Sequence, residues 1–118
     1  MLGLDDGERV RLIGVDTPET KDPRKPVQYF GKEASAFTGK FIEQKRVRLE
    51  FDQTRLDRYS RTLAYVFRED DGAFLNLELV RQGYAHALTK YPFRRMEEFR
   101  AAEKEAREKQ RGMWAPVQ

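Results

Sequence analysis

The chain contains no cysteine. Structural disulfides, thiolate metal sites and cysteine nucleophiles are therefore excluded. Its single histidine, His86, excludes a multi-histidine metal centre. No run of about 18 apolar residues occurs, so no segment reads as a membrane-spanning helix, and no membrane partner is expected. The opening MLGLDDGERV lacks the apolar core of a signal peptide. Neither sign of charge dominates, since 23 basic against 20 acidic residues give +3. That balance permits a polyanionic partner without requiring one. No internal repeat or low-complexity linker breaks the 118 residues, a length that suits a single domain over 1–118 and buries a core without disulfides.

What is present is a change of hydrophobic period along the chain. Residues 8–16, ERVRLIGVD, read as a strand. Val10 and Leu12 share one face, Arg11, Ile13 and Val15 the other, so both faces are covered. An arginine among such neighbours calls for an anionic partner. Pro18, Pro23 and Pro26 make 17–29 a loop. Phe30, Ala34, Phe37 and Phe41 then recur at helical spacing, which predicts an amphipathic helix over 30–43. Residues 45–52 alternate, with Val47, Leu49 and Phe51 inward, and 61–69 form another strand. Asp-Asp-Gly at 5–7 and at 70–72 predicts two hairpin turns, the second leading to a short strand around Phe74. Asn76 is placed to cap a helix over 77–82 that Gly83 ends. After the basic, aromatic loop TKYPFRR (89–95), Met96, Phe99, Ala102 and Ala106 stripe a charged helix over 95–111, stopped by Gly112, with Trp114 packing back. Strands without regular βαβ alternation predict an α+β fold: a small, strongly curved sheet or barrel with helices outside it.

Four groups of residues have the chemistry for a phosphate site. Asp16 ends a strand beside the Thr17 carbonyl, two oxygens of the kind hard cations take, and Glu19 stands close enough in sequence to orient or deprotonate a water. Arg11 and Arg61 come from different segments and can clamp a phosphoryl group. Arg58, Tyr59 and Tyr91 can hold a nucleotide phosphate or base. Lys21, Arg24 and Lys25 can track a phosphate backbone. Each group also has a plain structural use: a turn cap for Asp16 and Glu19, ion pairs for the arginines, packing for the tyrosines, and a solvated surface for the lysines. Asp5 or Asp6 as metal ligands, and a role for His86 beyond structure, are weaker readings.

Taken in order along the chain, VRLIGVDTPET, FGKEASAFT, DRYSRTLAYVF and LVRQGYA resemble the motifs of staphylococcal-nuclease-type (thermonuclease) domains, from about residue 8 to Trp114. The resemblance implies an OB-fold: a five-stranded, partly open barrel with three helices. It also implies a Ca²⁺-dependent endonuclease that hydrolyses DNA and RNA, single-stranded or locally opened, with little sequence preference, in a secreted or cell-envelope setting. By matched position Arg11, Glu19 and Arg61 would be catalytic, Arg58, Tyr59 and Tyr91 would bind substrate, and Asp16 with the Thr17 carbonyl would hold Ca²⁺. Arg58 stands where the family often has lysine. Thr89 stands where a second aromatic is common, which implies weaker base stacking.

The resemblance also implies an opening strand and an Asp-bearing turn about fourteen residues before Arg11, whereas Arg11 is only ten residues from Met1. The expectation is a chain N-terminally truncated relative to the family pattern. Its first barrel strand and one Ca²⁺ carboxylate would be missing, its activity impaired, and a barrel edge free to pair with a second copy by edge addition or strand swapping. A non-catalytic nucleic-acid-binding OB module and a protein-interaction scaffold remain alternatives at this point.

Overall fold

The computed structural model describes residues 2–3, 9–17 and 30–116. Strands are β1 (Leu2–Gly3), β2 (Arg9–Leu12), β3 (Val15–Asp16), β4 (Val47–Glu50), β5 (Thr62–Arg68) and β6 (His86–Ala87); helices are α1 (Gly31–Ile42), α2 (Leu75–Arg81) and α3 (Met96–Glu108), followed by a 3₁₀ turn at Gly112–Trp114. The strands form a mixed four-stranded sheet in the order β1-β2-β5-β4 and a two-stranded sheet of β3 and β6. β2 runs parallel to β5, pairing Val10 with Thr62 and Leu12 with Ala64, while β4 and β5 are antiparallel. The architecture is α+β with three helices, and among the described residues these pairings close no barrel. No described helix is long and apolar enough to cross a membrane.

The segment expected as one strand over 8–16 is in fact two, β2 and β3, separated by a turn at Ile13–Gly14. Gly14 has φ +77°, and a Cβ there would lie 2.6 Å from the Phe93 ring and 2.8 Å from Phe99. Only glycine combines that backbone with that closeness. The break passes the chain from the first sheet to the second, while Val10, Leu12, Ile13 and Val15 all stay buried.

Helix α2 begins at Leu75, so Asn76 is not its cap; the capping position is Phe74, with no side-chain cap bond. Asn76 is instead fully buried. Its Oδ1 accepts the Val66 amide at 2.8 Å, and its Nδ2 donates to the carbonyls of Ile13 and Ala64, each at 3.0 Å. One side chain thus ties α2 to β5 and to the turn before β3. Gly83 does follow α2, at φ +83°, where a Cβ would meet the Arg111 carbonyl.

The remaining helices follow their sequence patterns with small shifts. In α3, Phe99, Ala102 and Ala106 are buried as the stripe requires. The helix stops at Glu108 rather than 111, because Gln110 turns left-handed at φ 52°, and Gly112 opens the 3₁₀ turn. Trp114 packs back under the His86 ring (5.1 Å, edge-on) and the Arg107 guanidinium. The turn at 70–72 forms, with Gly72 at φ +70°, but Phe74 makes only an isolated bridge to Phe67, not a strand. The turn expected at 5–7, with Asp5 and Asp6, lies outside the described residues, as do Glu19, Lys21, Arg24 and Lys25.

Candidate active site

Strand β2 brings Arg11 in, and its parallel neighbour β5 brings the segment just before it, 57–61. Arg11 is half-buried, and its Nη1 donates to the Leu12 carbonyl at 3.0 Å. Burial and then the nearby Arg61 charge lower the Arg11 pKa, against the opposing pull of Asp16 and Asp57. Two guanidiniums thus sit within electrostatic reach of each other in a partly desolvated place. Such a pairing costs free energy until an anion lies between them.

The loop 57–61 is folded around one carboxylate. Asp57 Oδ1 accepts the amides of Tyr59 (2.8 Å) and Arg61 (2.9 Å), and Oδ2 accepts Arg61 Nε at 2.7 Å. Ser60 turns left-handed at φ 61°, and its amide donates to the Asp57 carbonyl. The Nε bond fixes the plane of the Arg61 fork and leaves the terminal Nη pair outside that contact. Tyr59 projects outward, 66% exposed, flanked by the guanidiniums of Arg58 (5.2 Å) and Arg61 (5.4 Å). Arg58, Tyr59 and Arg61 are therefore one cluster. Asp57, which organises it, was not among the residues singled out by sequence; an Asp opening a tight Asp-x-x-Ser turn was the available signal.

Partial burial alone would raise the Asp57 carboxyl, but the Arg61 amide and guanidinium and the Tyr59 amide outweigh it and hold it below the usual carboxylate range. A depressed folded-state pKa gives stability that is present above the unfolded value of about 4 and is lost as pH falls through the folded one. Asp57→Asn is therefore expected to flatten the loss of stability below about pH 4, measured as the urea midpoint from neutral pH downward. An equally steep acid limb in the variant would contradict the assignment.

Asp16, exposed at the end of β3, pairs in register with His86 of β6. The Asp16 carboxylate and the Thr17 carbonyl are hard oxygen donors that suit Ca²⁺ in kind. Among the described residues, however, no three acidic or histidine side chains group closely enough to hold a metal ion. His86 faces Glu103 at 3.9 Å, a structural contact. Tyr91 stands 65% exposed in the loop after β6, with Lys90 Nζ 5.5 Å from its ring centroid. Of the residues expected at the site, the structure brings Asp16 and Arg61 each within electrostatic reach of Arg11 and clusters Arg58 and Tyr59 with Arg61.

The family model described as staphylococcal nuclease homologue matches residues 9–116. A thermonuclease of Staphylococcus intermedius is 49% identical over 110 residues, covering 91% of this chain and 63% of that protein. A thermonuclease of Staphylococcus hyicus is 41% identical over 109 residues, 92% of this chain and 63% of that protein. Endonuclease YncB of Bacillus subtilis is 36% identical over 115 residues, 92% of this chain and 52% of that protein. The chain thus spans less than two thirds of the length of these relatives. With this match along nearly all of its length, the chain belongs to the staphylococcal nuclease homologue family.

Proposed function

We propose that the chain hydrolyses phosphodiester bonds of DNA and RNA, with little sequence preference and in dependence on Ca²⁺. The observation that carries this reading is the approach of Arg61 to the half-buried Arg11, where burial and then the Arg61 charge raise the cost of the Arg11 charge. A phosphate between them removes that cost, and the gain grows as negative charge builds on the five-coordinate phosphorus. The names of the thermonuclease and endonuclease relatives support the same chemistry.

In this reading Arg11 and the terminal nitrogens of Arg61 hold the phosphate. Glu19 orients a water and takes its proton as the water oxygen attacks phosphorus. The bond from phosphorus to the 5′-oxygen breaks, solvent protonates that oxygen, and the products carry 5′-hydroxyl and 3′-phosphate ends. Asp16 and the Thr17 carbonyl would hold Ca²⁺, which when bound adds fixed positive charge beside the phosphoryl oxygens. Arg58 and Tyr59 contact the substrate phosphate, and Tyr91 lines the base side. We read the two sheets as parts of one OB-type barrel. Gly14, where the chain passes from one sheet to the other, supports that reading.

Glu19→Gln tests it. Initial rates of single-stranded DNA digestion with Ca²⁺ are expected to fall by at least about 10², with oligonucleotide affinity retained. A variant that cuts as fast as wild type would overturn the role of Glu19. Salt-sensitive binding without cleavage by the wild type would support a non-catalytic binding module instead.

A further inference from the structure

The carboxylate of Asp52, just beyond β4, lies outside the cluster described above, yet three elements meet on it. Its side chain is only 9% exposed. Oδ2 accepts the Tyr65 hydroxyl of β5 at 2.5 Å and the Arg94 backbone amide at 2.9 Å. Oδ1 accepts the Gln53 amide at 2.7 Å and stands 3.6 Å from Arg94 Nε. Burial and then the Asp52 hydrogen bond raise the Tyr65 hydroxyl pKa well above its ordinary value, so the phenol remains a donor to this carboxylate. Burial would likewise raise the Asp52 carboxyl, but the Tyr65 hydroxyl and the Arg94 and Gln53 amides outweigh it and keep it charged.

Arg94 belongs to the loop that carries Lys90 and Tyr91. That loop is held at its start by the Leu88 amide, which donates to the Gly14 carbonyl at 2.8 Å. Near its far end the Phe93 ring lies in the space that a Cβ on Gly14 would need, edge-on to Phe99 at 5.1 Å. These two anchors tie the loop to the turn that presents Asp16. On the sheet that carries Arg11, Asp52 holds Arg94 through these bonds, and the next residue, Arg95, adds a looser contact, 3.8 Å from Glu50 of β4 and 5.5 Å from the Tyr65 ring centroid. Tyr91 lies between the anchors, exposed.

We propose that Asp52 is a positioning residue for substrate binding: by gripping the Arg94 amide while anchored on Tyr65, it sets the 89–95 loop so that Tyr91 and Lys90 face the nucleic acid held at Arg11 and Arg61. Its role is to keep the loop's substrate-facing side chains in place before binding, so that ordering them does not subtract from affinity. Asp52 touches neither substrate nor reacting atoms. The signature is therefore a change in binding rather than in the chemical step. This inference rests on the nuclease reading for its kinetic half only.

The test has two independent arms. In the first, wild-type protein and Asp52→Ala are compared by native-state trypsin digestion and by amide hydrogen exchange. In wild type the Arg94 amide is expected to exchange at least about tenfold more slowly than those of Lys90 and Tyr91. In Asp52→Ala, cleavage after Lys90, Arg94 and Arg95 is expected to accelerate about tenfold relative to other sites. Tyr65→Phe keeps the Arg94 bond but removes the anchor on Asp52, and is expected to accelerate that cleavage, though by less than Asp52→Ala does.

In the second arm, Asp52→Ala is expected to raise KM for single-stranded DNA about tenfold while kcat stays within about twofold. Asp52→Asn, which keeps an oxygen acceptor for the Arg94 amide, is expected to recover most of that loss. An unprotected Arg94 amide in wild type overturns the proposal without any variant. So does a loop released with KM unchanged, or a loss in kcat that Asp52→Asn does not rescue. If the wild type cuts nothing, the dissociation constant of a fluorescein-labelled single-stranded oligonucleotide replaces KM. The loop arm then still stands or falls separately from the nuclease reading.

Discussion

Replacing Arg61 with glutamine is expected to lower kcat/KM for single-stranded DNA by about 10⁴, the scale of losing an arginine that stabilises a phosphoryl-transfer transition state. Arg61 has two separable jobs. Its Nε is held by Asp57, which fixes the loop, and in the proposed reaction its remaining nitrogens would face the charge that grows on phosphorus. Arg61→Lys is therefore expected to restore little, because an ammonium cannot hold Asp57 and grip a phosphate at once. Asp57→Asn keeps one acceptor oxygen, enough for the two amides or for the guanidinium but not for both, and is expected to lose less than either Arg61 variant because Arg61 itself remains. Initial rates with circular dichroism as a fold control measure this. Arg61→Gln with near wild-type kcat/KM would remove Arg61 from the chemistry.

The largest effect on stability is expected at Asn76. Asn76→Ala strands the Val66 amide and the Ile13 carbonyl in a fully buried place and leaves the Ala64 carbonyl with only the Ile13 amide. Each orphaned group costs about 1–3 kcal/mol, so a total loss near 3 kcal/mol is expected even with partial relaxation. At this chain length that is a fall in Tm of roughly 12 °C. Asn76→Asp is expected to do no better, because an ionised carboxylate would oppose two carbonyl oxygens and donate nothing. The Ile13 carbonyl belongs to the turn before Asp16, so activity is expected to fall with stability. Thermal unfolding reads the effect, and a Tm within about 2 °C of wild type would show that these bonds carry little net weight.

Asn76 also shows where sequence reasoning succeeds and where it stops. The apolar stripes of α1 and α3 and the alternation through Val47, Leu49 and Phe51 are local patterns, and local patterns are legible. The preference of Asn for capping positions is local too, but here three tertiary hydrogen bonds outweighed it and drew Asn76 into the core. The strand expected over 8–16 breaks because Phe93 and Phe99, some eighty residues away, press on Gly14. No window of the sequence around Gly14 contains that information. The candidate site divides in the same way. Arg11, Asp16, Arg58, Tyr59, Arg61 and Tyr91 were legible as residue types that suit phosphate and bases. Asp57 and Asp52 were not, because a carboxylate that organises a loop looks like any other surface acid until its partners are known.

The parallel pairing of β2 with β5 decides most of this geometry. It sets Arg11 beside Leu63 and brings the segment ending at Arg61 alongside. Once those strands pair, the two guanidiniums must share one neighbourhood, where burial first and then their repulsion lower the Arg11 pKa. Asp16 and Asp57 offset that cost only in part, and Asp57 is already engaged by Arg61 through Nε.

The most direct measurement is digestion of a single-stranded oligonucleotide by the unmodified chain, with Ca²⁺ and again with excess chelator, followed by analysis of the product ends. Cleavage that requires Ca²⁺ and leaves 5′-hydroxyl and 3′-phosphate ends is the expected result. Tight, salt-sensitive binding with no cleavage at any Ca²⁺ concentration, or cleavage unaffected by the chelator, would contradict it.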